Sequence, residues 1–153
     1  MAGPRHKARQ VAVSVLFEVE ARPQEWEAAL TYAAELQELP LAANSFAREL
    51  VAGVVAHLAE IDSLLQASSS NWRLEQMGAL ERAVLRLAAE ELSWRRQDPL
   101  AVVIDEAVEL AKEMAGPEAG AFVNGVLGRV ARQSAVAHGG NGNAGSGPSP
   151  AGR

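Results

Sequence analysis

Arg5, Lys7 and Arg9 stand at alternating positions near the start of the chain, and no acidic residue occurs before Glu18. Guanidinium forks grip phosphate oxygens bidentately, and an ammonium group adds a point charge. On a helix, Arg5 and Arg9 share a face, and Lys7 widens the basic surface on another side. Ala12 and Leu16 continue under the two arginines, so an apolar stripe can anchor the arm that presents the charges. Such binding weakens with salt, because each neutralised phosphate releases counterions. Reading single-stranded bases also needs flat platforms. Phe17 and Phe122 are the candidates, and a place in the core is the competing reading of each.

The charge distribution says more than the total. The net charge of −5 argues, taken alone, against a nucleic-acid binder. Up to Phe17, however, the chain carries +3, and the remainder, with eleven basic and nineteen acidic residues, carries −8. This asymmetry suggests a basic contact point on an acidic body.

Catalytic chemistry finds little support. Cys is absent, which removes disulfides, thiolate catalysis and Cys-based zinc sites. His6, His57 and His138 are scattered and lack the spacing of a helical zinc motif, so no metal and no cofactor is expected. His57 reads as a helix-surface or core-edge histidine. No serine lies in a Gly-x-Ser-x-Gly turn. Glu90-Glu91, or Asp105 and Glu106 with Glu109, would need unlike environments and a cleft to work as an acid–base pair. A solvated face or a salt-bridge set is the simpler reading. Gly125-Val126-Leu127-Gly128 spells a string that clamps nucleotide backbones in another fold, but the strands of that fold are missing here.

The elements that must position these residues are helical. A first helix from about Pro4 to Ala21 carries Val11, Val15, Leu16 and Val19 inward and ends at Arg22-Pro23. A second, about Gln24 to Glu38, turns in Trp26, Leu30, Ala33 and Ala34. A third, capped by Asn44 or Ser45, carries one stripe through Phe46, Leu50, Val51, Val54, Leu58, Ile61 and Leu65. A helical turn over Trp72 to Met77 precedes a helix from about Ala79 to Trp94. Asp98 as N-cap and Pro99 at the first helical position open the next helix, which reaches Ala115. Gly116-Pro117 introduces the last, about Glu118 to Gln133. No strand and no fixed-period repeat is evident, and no apolar run approaches the roughly 20 residues of a membrane span. The fold expected is all-α, about seven helices in two helical subdomains over residues 4–134.

Two local features carry further expectations. Asn124-Gly125 lies inside the last helical pattern, where glycine costs roughly 1 kcal/mol relative to alanine. Its presence suggests a close approach, most simply by a neighbouring helix. From Ala135 to Arg153 the Gly-rich composition cannot bury enough apolar surface to offset its ordering entropy, so a disordered tail is expected there.

In order and spacing, these segments resemble the NusB family of bacterial transcription antitermination factors. The match runs from Arg5 to about Arg132. It rests on Arg5-His6-Lys7-Ala8-Arg9-Gln10, Phe46-Ala47-Arg48-Glu49-Leu50 with Ile61-Asp62, Trp72-Arg73-Leu74, Glu81-Arg82-Ala83-Val84-Leu85-Arg86, Val103-Ile104-Asp105-Glu106-Ala107, and Phe122-Val123-Asn124-Gly125-Val126-Leu127. The resemblance implies a non-catalytic, cytoplasmic factor. It would bind boxA-type RNA of ribosomal-RNA leader transcripts together with a ribosomal small-subunit protein, NusE, and act with other Nus factors on RNA polymerase. By position, it implies that Arg5, His6, Lys7 and Arg9 meet RNA. Phe17, Phe122 and Glu118 would lie at the RNA surface, and Glu81 on the face offered to the ribosomal protein. His6 stands where an arginine is common, and Phe17 where some relatives carry tyrosine. Two other readings stay open: the RNA-binding module of a ribosomal-RNA cytosine methyltransferase, and a helical module that binds protein alone. A homodimer also stays open, because an apolar helix face can be buried between copies.

Overall fold

Phe46, Leu50, Val51 and Val54 are all buried, as their spacing requires, but the stripe they begin does not lie on one helix. The structure, a computed structural model, describes residues 3–69 and 71–142, with side chains as far as Gln133. Among the described residues there are seven α-helices and no strand. They are α1 (Pro4–Glu18), α2 (Trp26–Leu36), α3 (Leu41–Ala56), α4 (Leu58–Ala67), α5 (Ala79–Glu90), α6 (Leu100–Ala115) and α7 (Pro117–Gly142).

Helices α1, α2 and α3 pack on one another and form one half of the molecule. The other half is α4 to α7, in which α6 and α7 pair most extensively. Helix α5 joins the halves, touching α1, α3, α4, α6 and α7. A single apolar core runs through both, from Ala8, Val15 and Leu50 to Leu85, Leu110 and Leu127. Ala, Val and Leu dominate it because few aromatic residues are available, and small side chains let the helices approach closely.

The structure corrects several boundaries. The third helix read from the sequence is two, α3 and α4, bent by 76° at His57. Both turn their apolar residues toward the shared core, so a spacing of three and four continues through the bend. His57 ends one helix and starts the next: its N–H donates to the Gly53 carbonyl and its carbonyl accepts from Ile61. Its Nδ1 lies 2.8 Å from Glu90 Oε1, and its ring stacks on Trp94 at 4.7 Å. Helix α3 also begins earlier than Asn44, at Leu41, with Pro40 as its N-cap. Likewise Pro99, not Asp98, is the N-cap of α6, because the Asp98 carboxylate accepts from Arg5 and Arg9 instead.

Helix α5 does not run regularly to Trp94. It widens into a π-helical turn, Glu91–Arg95, which closes on Arg96 at φ 54°. Helix α7 runs to Gly142, past the expected end at Gln133, and so takes in part of the expected tail. The remainder, 143–153, lies outside the described residues. Gly125 is exposed, with nothing within 4 Å of where a Cβ would stand, so no neighbouring helix explains it. Gly53 is a glycine that a close approach between helices does require: a Cβ there would collide with the buried Glu90 carboxylate.

That collision is testable. Gly53→Ala should destabilise the protein by about 1 kcal/mol or more in urea unfolding, once overpacking is set against the gain in helix propensity. Stability equal to or above the wild type would mean that α3 and α5 are less tightly apposed.

Candidate nucleic-acid interface

The basic arm is the first two turns of α1. Pro4 occupies the first helical position and Gly3 precedes it as the N-cap. Ala8, Val11, Ala12 and Val15 bury one face, and that fixes where the charged side chains point. Arg5 and Arg9 both reach Asp98, whereas His6 and Gln10 both reach Glu113. The arm therefore lies across α6 rather than along it.

Arg9 is not a free guanidinium. Its Nε donates to Glu91 Oε2 and its Nη2 to Glu91 Oε1, both at 2.8 Å. Nη2 also donates to Asp98 at 2.8 Å, and Nη1 lies 3.7 Å from Glu106. The Arg9 and Glu91 side chains are each only 4% exposed. The π-helical turn carries Glu91 into this position, and Phe46 forms the floor. The guanidinium carbon of Arg5 stands 3.8 Å over the Phe46 ring, with those of Arg9 and Arg95 at 5.2 and 5.1 Å. Such stacking suits the weakly hydrated guanidinium.

His6 is also enclosed. Its Nδ1 is 2.8 Å from Glu106 and its Nε2 3.1 Å from Glu113. Burial alone would lower its pKa, but the hydrogen bonds and charges of the two carboxylates outweigh this and raise it above 6.5. At Asp98 the hydrogen bond from Arg5 prevails over burial and holds the carboxyl below its ordinary value. Arg5, His6 and Arg9 thus face four carboxylates, Glu91, Asp98, Glu106 and Glu113. The positive field read from sequence is largely compensated within the molecule. Arg5, with its side chain 51% exposed, keeps donors toward solvent. Lys7 is half-buried and has no carboxylate partner among the described residues.

The aromatic candidates differ from each other. Phe17 is 48% exposed at the end of α1. Phe122 is half-buried against the core and meets the edge of Trp72 at 6.1 Å, with the rings 82° apart. Glu118 is exposed in the first turn of α7, where the helix dipole favours an acid. Glu81 is half-buried in the first turn of α5 and folds back over Gly78. No hydrogen bond, ion pair or ring contact joins the arm to Phe122 among the described residues. The arm reaches Glu113 near the end of α6, and α7 begins at Pro117. Trp72, which the sequence reading names only as the start of a helical turn and within the Trp72-Arg73-Leu74 segment of the resemblance, is the half-exposed aromatic that the structure places beside Phe122.

The raised pKa of His6 sets the sign of a pH effect. Its contribution to stability is full below the unfolded pKa and is lost as pH rises through the folded one. The stability difference between wild type and His6→Gln, measured by thermal unfolding, should therefore shrink as pH is raised from about 6.5 into the alkaline range. A difference that stays constant across this range would contradict the carboxylate enclosure.

Fold and site together define an all-α binding protein, two helical halves joined through α5 and through a caged basic arm. A family model described as the NusB family matches residues 6–132, and the chain belongs to that family. The transcription antitermination protein NusB of Exiguobacterium sp. is 40% identical over 129 residues, covering 84% of this chain and 98% of the relative. The protein of the same name in Saccharopolyspora erythraea is 45% identical over 130 residues, covering 84% and 87%. Among solved structures, T. maritima NusB matches with a TM-score of 0.74 at 33% identity, over 87% of this chain and 94% of that one. A crystal structure of antitermination factors NusB and NusE in complex with dsRNA matches with a TM-score of 0.79 at 30% identity, over 87% and 99%.

Proposed function

We propose that the chain is a transcription antitermination factor. It takes boxA-type RNA of ribosomal-RNA leader transcripts together with the ribosomal small-subunit protein NusE, and with other Nus factors it promotes read-through by RNA polymerase in the cytoplasm. The observation that carries this reading is the likeness to the NusB of the NusB–NusE–dsRNA structure, 30% identical and matched over 99% of its length.

The charges support a division of labour. Arg5 and Lys7 are the arm residues with donors left for phosphate, and Phe17, Phe122 and Glu118 border the RNA path. Arg9 and His6 act by holding the arm in place. Glu81 belongs to the acidic body, which suits a basic ribosomal partner by complementary charge. The role is binding without catalysis. Of the carboxylates that acid–base chemistry could draw on, Glu90 is engaged by His57, Glu91 by Arg9 and Glu106 by His6, while Asp105 and Glu109 lie on an exposed face of α6 rather than in a cleft.

Fluorescence anisotropy with a labelled boxA-type RNA, with and without NusE and at two salt concentrations, tests the proposal. Binding should be weak for the chain alone, tighter with NusE, and weaker as salt rises. Arg5→Ala and Lys7→Ala should each lower the salt slope by about one contact. RNA affinity indifferent to both changes would remove the arm from the RNA contact, and no RNA binding with or without NusE, with NusE binding intact, would assign the chain to protein binding alone.

A further inference from the structure

Phe122, Gly125, Arg129 and Arg132 recur at helical spacing and share one face of α7. Two of them touch the loop between α4 and α5. Phe122 meets Trp72, and Arg129 Nε donates to the Ser68 carbonyl at 2.6 Å. Between these contacts the helix is bare, because Gly125 is exposed with open space where a Cβ would be.

Trp72 is 49% exposed, yet its loop is held. The Gln66 side chain donates to the Trp72 carbonyl at 2.9 Å and accepts from the Leu74 N–H at 2.8 Å. The perpendicular arrangement with Phe122 makes an aromatic corner whose indole remains half open. Further along the same face, Arg129 and Arg132 have no carboxylate partner among the described residues, in contrast to the caged cations of the arm.

We infer that this face of α7 is a nucleotide seat: an unpaired RNA base stacks on Trp72 beside Phe122, the backbone comes down on the bare helix at Gly125, and Arg129 and Arg132 hold the adjoining phosphates. The inference rests on the RNA-binding reading above and locates a second contact region within it. Three observations converge. A held, exposed indole is a stacking platform for any base. Guanidinium groups with no carboxylate partner among the described residues supply donors that phosphate oxygens accept: Arg132, and the Nη atoms of Arg129, whose Nε is held by Ser68. Apart from proline, glycine is the costliest residue in a helix interior, and none of the described residues stands close enough to require it at position 125. Its value is then to a ligand that needs the absence of a side chain.

The test uses the full chain and a short single-stranded boxA-type RNA carrying 2-aminopurine at successive positions, with NusE affinity measured in parallel. Wild type should quench the fluorophore at one position, and Trp72→Ala should abolish that quenching and weaken binding by about tenfold or more. Trp72→Phe should restore most of the affinity. Gly125→Ala should fold normally and melt no lower than wild type, yet bind RNA several-fold more weakly. Wild-type RNA affinity in both Trp72→Ala and Gly125→Ala overturns the seat while leaving the RNA-binding reading intact. Absence of binding by wild type overturns both. Loss of NusE affinity with RNA affinity unchanged overturns the seat and marks the face as a protein contact.

Discussion

The Arg9–Glu91 ion pair is the constraint on which the arrangement of the molecule depends. It ties the first helix to the turn after α5, and therefore one half of the protein to the other. Both partners are almost fully enclosed, so neither charge is solvated and each requires the other. Burying two charges is costly, and their attraction offsets the cost only with good geometry and further hydrogen bonds. Both conditions hold here: the contact is bidentate, and Asp98 accepts a third bond. The irregularities nearby follow from the same requirement. The widened turn brings Glu91 inward, the start of α6 leaves Asp98 free of capping duty, and Phe46 is placed beneath three guanidinium groups.

This constraint changes what a basic arm can mean. A count of charges along the chain gives a positive tip, whereas the folded tip is an interlaced set of cations and carboxylates. On the proposed reading, an approaching phosphate gains little from Arg9 or His6 and is met by Arg5 and Lys7. The arginines of α7, Arg129 and Arg132, by contrast, have no carboxylate partner among the described residues. Recognition by such a molecule would depend less on one strongly charged patch than on modest contacts spread along a path, which suits a protein that binds RNA jointly with a partner.

Much of the fold was legible in the sequence because apolar residues three and four apart report buried helix faces whatever the tertiary setting. Val11, Val15 and Leu16, like Val103, Ala107 and Leu110, are buried as their spacing requires. The bend at His57 was not legible, since a stripe that faces the same core on both sides of a bend keeps its period. The π-helical turn was hidden too, because it adds a residue to a helix without breaking its composition. At the site, Arg5, Arg9 and Phe122 were recognisable as special by residue type and spacing. Their partners were not, because Arg9 and Glu91 are 82 positions apart and no local pattern records such a meeting. Gly125 could be singled out as costly, but only the structure separates it from Gly53, where the neighbouring carboxylate itself forbids a side chain.

The most direct measurement of the central claim is a double-mutant cycle at Arg9 and Glu91, read by urea unfolding. Arg9→Met alone should cost about 3–5 kcal/mol, because it strands a buried carboxylate, and adding Glu91→Leu should recover most of that loss. A single-variant cost no larger than that of removing an exposed arginine, with no recovery in the pair, would show that the arm is not pinned in this way.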